Sequence, residues 1–335
     1  MTTKSAAIIG TGYSLPPNIR TNDDPIFNWI KKHDPAGMAL FQGYVTRRVL
    51  APGQNLTDIM VPAALQAITS AGLASKDIDM ILGYGSVSEF ESPNVLAAVH
   101  NELNLPANCH IIPINNEFNN FNSALVLAHS MVNTGVAKNI LIVCGSNWTR
   151  FVDYHTAPCV SAGDGAAAAV VSASTASGQF SFVDIASIAD TKDYGVMYMG
   201  ADELKEGPDP SVNYDSKDRF SGRYFHLTPA GAEAFKVFGF KGPVDAANTV
   251  LKRNKISSAD VTLISHQASS VLMDMWSKAI NPGQYINTIA SYANMTLATI
   301  PVNFAMHYSQ IQKNYVVLLG IGTELQTSAV LLKRN

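Results

Sequence analysis

His266 follows directly on an apolar run in Ile264-Ser-His-Gln-Ala-Ser269, where an imidazole can work as a proton acceptor or a hydrogen-bond donor. Asn294 lies in Ser291-Tyr-Ala-Asn-Met-Thr-Leu-Ala-Thr-Ile-Pro301, a loop of small residues leading into a helix pattern. Tight glycine turns flank other strand-like runs, Gly163-Asp-Gly-Ala and Gly320-Ile-Gly322. Ile114-Asn-Asn-Glu-Phe-Asn-Asn-Phe121 joins the short apolar run Ile111-Ile112 to the helix-like segment Ser123–Val132. A strand that turns sharply into a helix is a common mount for a nucleophile, because the helix N-terminus stabilises a thiolate. This turn holds neither Cys nor Ser. Glu117 within it is a candidate general base, provided burial raises its pKa; its alternative is a structural role within the Asn cluster. Taken singly, each setting also has an ordinary reading: a packed histidine, a plain turn.

The cysteines offer no replacement nucleophile. Cys144 sits inside the apolar run Ile140–Cys144 and reads as a buried strand residue. Cys109 and Cys159 fall in loops, with no neighbouring feature that would lower a thiol pKa. Three cysteines without a CxxC argue against a disulfide framework, and no metal site is expected. A net charge of −3 gives no electrostatic case for nucleic acid or an anionic membrane. No apolar run approaches the ~18 residues of a membrane span, and Met1–Ser5 runs straight into Ala6–Gly10, so a cytoplasmic location is expected. With 335 residues, 47% apolar and only 15% charged, the chain can bury a large core and subunit-facing surface.

Strand and helix patterns alternate along the chain, which indicates α/β layers. Asp58–Ser70 has helical apolar spacing, and Thr228 caps a helix that opens with Pro229. Val316–Leu319 suits a strand buried on both faces. Ser75–Ser86 resembles Ser258–Ser269, and Lys138–Gly145 resembles Lys313–Gly320, in the same order. Two matched pairs predict duplicated halves, residues 1–175 and 176–335. Asp193–Arg223, rich in Gly, Asp, Tyr and Met, reads as a long surface or subunit-contact excursion.

In this order the motifs resemble the β-ketoacyl-acyl-carrier-protein synthase III family of the thiolase superfamily. Ile8-Ile-Gly-Thr-Gly-Tyr-Ser-Leu-Pro16 with Arg20-Thr-Asn22 is similar to its N-terminal strand. Gly163-Asp-Gly-Ala is similar to its post-nucleophile turn, and Leu227–Lys236 to the helix bordering its carrier-protein surface. Ser265-His-Gln-Ala268 and Tyr292-Ala-Asn294 with Ile300-Pro301 are similar to its histidine and asparagine loops. The resemblance implies a thiolase-like five-layer αβαβα fold from two duplicated halves, and a dimer. It implies an acyl thioester substrate, carried by coenzyme A or by the phosphopantetheine of an acyl carrier protein, with no resident cofactor. It makes His266 and Asn294 the donors to the thioester oxygen, each worth about 3–4 kcal/mol. Gly320 or Gly322 would offer a backbone N–H to a second oxyanion.

The pattern is broken where the family carries its cysteine: the resemblance places Phe118 there, or Glu117 after a one-residue slip. At the substrate entrance, Trp29 resembles the family's adenine-stacking tryptophan. Val45 stands where an arginine is usual, with Arg47 and Arg48 nearby to replace it, and the stretch from His33 to Gln42 is longer than the family's. Three readings follow. The first is a cysteine-free acyltransferase in a specialised lipid, polyketide or secondary-metabolite pathway, with His266 as general base. The second is a decarboxylase of malonyl or β-keto thioesters, or an altered condensing enzyme. The third is a non-catalytic subunit paired with a cysteine-bearing paralogue.

Overall fold

The computed structural model describes residues 5–90, 92–200 and 224–335. In chain order the first elements are β1 (Ser5–Ser14), β2 (Asn18–Thr21), α1 (Asn28–His33), β3 (Thr46–Val49), α2 (Thr57–Ser70), β4 (Met80–Ser86), α3 (Leu96–Glu102), β5 (His110–Pro113), α4 (Asn120–Asn133), β6 (Asn139–Ser146) and β7 (Gly165–Ser174). There follow β8 (Phe180–Ala189), β9 (Met197–Gly200), β10 (Tyr224–Leu227), α5 (Pro229–Asn254), β11 (Val261–Ser265), α6 (Ser270–Ile280), β12 (Gln284–Ile286), α7 (Ile289–Tyr292), α8 (Thr299–Met306), β13 (Tyr315–Ile321) and β14 (Gln326–Arg334).

Ten strands form two sets with one topology. The first runs β5-β4-β6-β7-β1 and the second β12-β11-β13-β14-β8. In each set the first three strands in that order are parallel, the fourth runs antiparallel to the third, and the fifth antiparallel to the fourth. The sets meet at β1 and β8 through two rungs, Ala7↔Ser181 and Ile8↔Phe180. The sequence pairs that predicted duplication are β4 with β11 and β6 with β13, equivalent neighbours in the two sets. The strands are nearly continuous apolar runs because helices cover both faces. Burying each of Ile140, Leu141, Ile142 and Val143 is worth roughly 1.5–3 kcal/mol.

The layers follow from which helix covers which face. α2 and α3 pack on the outside of the first set. α5 and α6 do the same for the second. α4 and α8 lie between the sets and touch strands of both. This is the thiolase-like α/β arrangement in five layers. Gly10 and Gly12 let β1 approach α2 closely; a Cβ on either would stand 2.3 or 2.2 Å from a carbonyl oxygen of Ala67 or Ala63.

Helix limits agree with their sequence signals. Thr228 Oγ1 accepts the Gly231 N–H at 3.0 Å and caps α5. That helix continues through Pro243 to Asn254, well beyond the short segment read from sequence, because α6, β8, β13 and β14 pack along it. Of the excursion over 193–223, the described part is a turn and β9, which pairs with β10; residues 201–223 lie outside the described residues. Among the described residues no helix is long and apolar enough to cross a membrane.

Candidate active site

His266 is held at the end of β11, where its N–H donates to the Leu319 carbonyl of β13 at 2.8 Å. Its side chain is 1% exposed, and neither ring nitrogen has a hydrogen-bond partner. Burial pushes the imidazole down to about 3, opposed by the facing Thr296 backbone. The ring is therefore neutral at physiological pH, with one N–H to donate and little basicity. Such a ring is better suited to polarising a carbonyl than to taking a proton.

Asn294 follows α7 and is 6% exposed. Its loop is tied to the first set of strands through the Gly-Asp-Gly turn. Gly163 N–H donates to Asn294 O at 2.9 Å, and Asn294 N–H to Ser161 O at 2.8 Å. Glycine is required at 163, since a Cβ there would stand 2.6 Å from Tyr292 O. Asp164, buried between, accepts from Leu50 N–H, Thr149 N–H and Thr149 Oγ1 at 2.9, 3.0 and 2.6 Å. This motif is a positioning device for the asparagine loop.

Two further residues join the histidine strand to the asparagine loop. Gln267 is fully buried; its Nε2 donates to Ala293 O at 2.6 Å, and its Oε1 accepts from Thr288 N–H at 2.9 Å. Thr296 faces His266 through its backbone and donates its N–H to Asn294 Oδ1 at 2.8 Å. With Oδ1 so engaged, the amide Nδ2 is left to donate elsewhere. Thr296 has φ +47°, an outlier for a β-branched residue, and its Oγ1 donates to Ser146 Oγ at 2.7 Å. Thr296 thus touches both His266 and Asn294.

The β5–α4 turn closes that site. The Phe118 ring lies flat on the His266 imidazole, with centroids 4.5 Å apart and planes 6° apart. Stacking covers one face of the imidazole; its two ring nitrogens lie in the ring plane and are not blocked by this contact. Glu117 has φ +44°, is half-buried, and accepts no side-chain hydrogen bond from any described residue. Burial, with repulsion from Glu324 second, pushes its carboxyl up to about 7. The asparagines around it are structural. Asn120 Nδ2 donates to Ile114 O. Asn122 Nδ2 donates to Leu318 O at 3.0 Å, and Asn119 Nδ2 to Gln326 O at 3.1 Å.

The glycine loop has a different task from the one expected. Gly322 N–H already donates to Gln326 O at 2.8 Å, so it is not free for an oxyanion. A Cβ on Gly320 would stand 2.4 Å from Asn119 Oδ1 and 3.3 Å from Phe118 O. Gly320 is small so that the Phe118 turn can seat against β13.

The expected entrance residues separate. Arg47 is 0% exposed and corrects the reading of an entrance cation. Its Nε donates to Val160 O at 2.8 Å and one terminal nitrogen to Asn22 Oδ1 at 2.6 Å, within a cage of Phe27, Phe41 and Tyr44. Arg48 points the other way and caps the Pro16 and Pro17 carbonyls at 3.4 and 3.3 Å. Trp29 is 43% exposed; His33 stacks on it at 4.6 Å and His155 meets it edge-on at 4.5 Å. All three cysteines are buried, and burial pushes Cys109 up to about 11 and Cys144 and Cys159 up to about 12, so none is a ready thiolate.

Comparison with known proteins agrees with this fold. Residues 113–191 match the model of 3-oxoacyl-[acyl-carrier-protein] synthase III, and residues 251–334 match the model of its C-terminal part. The chain is 28% identical to the β-ketoacyl-[acyl-carrier-protein] synthase III of Oceanobacillus iheyensis, over 97% of this chain and 98% of that one. Its fold superposes on the 3-oxoacyl-[acyl-carrier-protein] synthase III of Aquifex aeolicus with a TM-score of 0.82, at 23% identity over 98% and 99% of the chains. The priming β-ketosynthase of the R1128 polyketide pathway gives 0.82 at 20% identity, over 99% and 97%. The two family matches, the similarity along almost the whole chain and the twice-repeated strand topology identify this protein as a β-ketoacyl-acyl-carrier-protein synthase III-like protein of the thiolase superfamily.

Proposed function

We propose that the chain is an acyltransferase of β-ketoacyl synthase III type that moves an acyl group from a thioester directly to its acceptor, with no acyl-cysteine stage. The observation that carries this reading is the buried, neutral, unpartnered His266 beside the oriented Asn294 amide, with Phe118 where the family's cysteine would stand. Buried polar groups without partners are costly, and a thioester oxygen would supply the missing acceptor. In the reaction, an acceptor X–H attacks the thioester carbonyl carbon. Glu117 takes its proton, and His266 N–H and Asn294 Nδ2–H stabilise the oxyanion. The C–S bond then breaks, and the leaving thiolate takes the proton back from Glu117. A carboxyl near 7 is matched to that exchange at neutral pH.

The donor is an acyl group on acyl carrier protein or coenzyme A, and the setting is a specialised lipid, polyketide or secondary-metabolite pathway in the cytoplasm. Residues 1–175 and 176–335 are the two thiolase-like halves, and the working unit is a homodimer. Release of free thiol from acyl-carrier-protein and acyl-coenzyme-A donors, followed with alcohol and amine acceptors, tests this. Acceptor-dependent thiol release with no mass adduct on the protein is expected. A stable acyl adduct on the wild-type chain would overturn it.

The flat Phe118–His266 contact favours a second reading, a non-catalytic subunit that completes a cysteine-bearing paralogue. Phe118→Cys separates the two. Under direct transfer, the new thiol beside His266 and Asn294 becomes acylated by the donor, and intact mass gains one acyl group. A subunit that does not bind thioesters stays unmodified.

A further inference from the structure

The loop that presents Asn294 runs from Thr288, just before α7, to Thr299, the first residue of α8. Its backbone is strained on both sides of the asparagine. Ala293 has φ +56° and Thr296 φ +47°, and neither is a glycine. Such conformations persist only where surrounding contacts over-determine them. Gln267 supplies one contact, through the Ala293 carbonyl. The two ends of the loop need another.

Asn303 makes it. This residue lies one turn into α8 and is 0% exposed, between the buried Val302 and Phe304 in the chain. Its Oδ1 accepts from Thr288 Oγ1 at 2.6 Å, and its Nδ2 donates to Thr299 O at 2.9 Å. A carbonyl only accepts, so Thr299 fixes which way round the amide sits. Thr299 Oγ1 in turn accepts the N–H of Met295, the residue after Asn294, at 3.0 Å. One side chain thus ties the start of the loop to its end. The helix beneath it is itself anchored, because α8 packs on β1 and β7 of the first set and on β11 and β13 of the second. Burying an amide is costly unless its hydrogen bonds are made. Here both are made, and both go to the ends of the asparagine loop.

We propose that Asn303 is a positioning residue: it clamps the asparagine loop onto α8 and so fixes the direction in which Asn294 presents its Nδ2. It acts through Thr288 and Thr299 rather than on the substrate. Its value for catalysis rests on Asn294 as a donor in the proposed reaction, but the clamp can be read without turnover.

Asparagine-selective 15N labelling reads the Asn294 side-chain amide by NMR, assigned by its loss in Asn294→Asp. Wild type should give one sharp pair of amide signals. Asn303→Leu should broaden or double that pair. Thr288→Val removes the hydroxyl, keeps the N–H bonded to Gln267, and should do the same; Thr288→Ser should restore the wild-type pair. The Thr288 variants carry the test if Asn303→Leu does not fold. In the proposed reaction, Asn303→Leu and Thr288→Val should lose about 10–10²-fold in kcat with KM unchanged. Recovery in Thr288→Ser, with that split, is not what a general loss of packing would give. An undisturbed Asn294 amide in the folded variants overturns the clamp, and a disturbed amide with wild-type kcat overturns its positioning role. A disturbed amide in variants of a chain that shows no turnover even as wild type supports the clamp and removes the proposed reaction.

Discussion

The β5–α4 turn of the first half and the β12–α8 connection of the second occupy equivalent places in the repeated topology. Both carry non-glycine residues at positive φ: Glu117 in one, Ala293 and Thr296 in the other. They differ in how their functional side chains are held. Asn294 is fixed by Thr296, and its loop by Gln267, Gly163 and Ser161. Glu117 is fixed only through its backbone, and its neighbour Phe118 contributes a ring where a thiol would attack. One side of the site is a preorganised pair of donors, the kind of environment that stabilises a developing charge at no reorganisation cost. The other holds an untethered acid whose proton moves near neutral pH. On the proposed reading, the repeat keeps stabilisation and exchanges covalent attack for proton transfer.

The sharpest way to break that contrast is to remove a donor. His266→Ala or Asn294→Ala should lower kcat for thiol release by about 10²–10³-fold with a small change in KM. Equal activity in both variants would end the donor assignment.

Removing the acid should cost less, about 10²-fold in kcat for Glu117→Gln, with loss of the acid limb near pH 7. The same variant has a stability signature. The folded carboxyl binds its proton more tightly than the unfolded one, with about 7 against the ordinary 4.5. That contribution is complete below about 4.5 and is lost as pH rises through 7. Thermal melts should therefore find Glu117→Gln more stable than wild type above pH 7, and the two curves should converge below about pH 4.5.

The smallest effect tests the bridge between the two regions. Thr296→Val removes the hydroxyl bonded to Ser146 and keeps the N–H bonded to Asn294. A loss of about tenfold in kcat, close to 1.4 kcal/mol of alignment, is expected, and Thr296→Ser should restore it. A wild-type rate in Thr296→Val would show that the N–H alone orients the amide.

Much of the framework was legible in the sequence because its signals are local. The duplication showed as matched runs, and β4/β11 and β6/β13 are now equivalent strands. Thr228, Pro229 and the apolar spacing of α2 announced their helices. His266 and Asn294 stood out as candidates because one follows an apolar strand run and the other lies in a loop of small residues. Arg47 was not, although β3 alternates buried and half-buried residues and so turns Arg47 inward and Arg48 outward. Gln267 and Thr296 carried no local signal. Their roles come from partners tens to hundreds of positions away, such as Ser146 for Thr296 and Ala293 for Gln267. Gly322 looked like an oxyanion glycine because its partner, the Gln326 carbonyl, is set by turn geometry that the residue types do not specify.

The strand seam between β1 and β8 is only two rungs long, and α4, α8 and the Gly163–Asn294 and Asn122–Leu318 hydrogen bonds also hold the two sets together at the candidate site. Glu117 and Phe118 belong to one side of that seam; His266 and Asn294 belong to the other. Parting the two sets would separate these groups together rather than by degrees, so on the proposed reading activity and the docked state stand or fall as one.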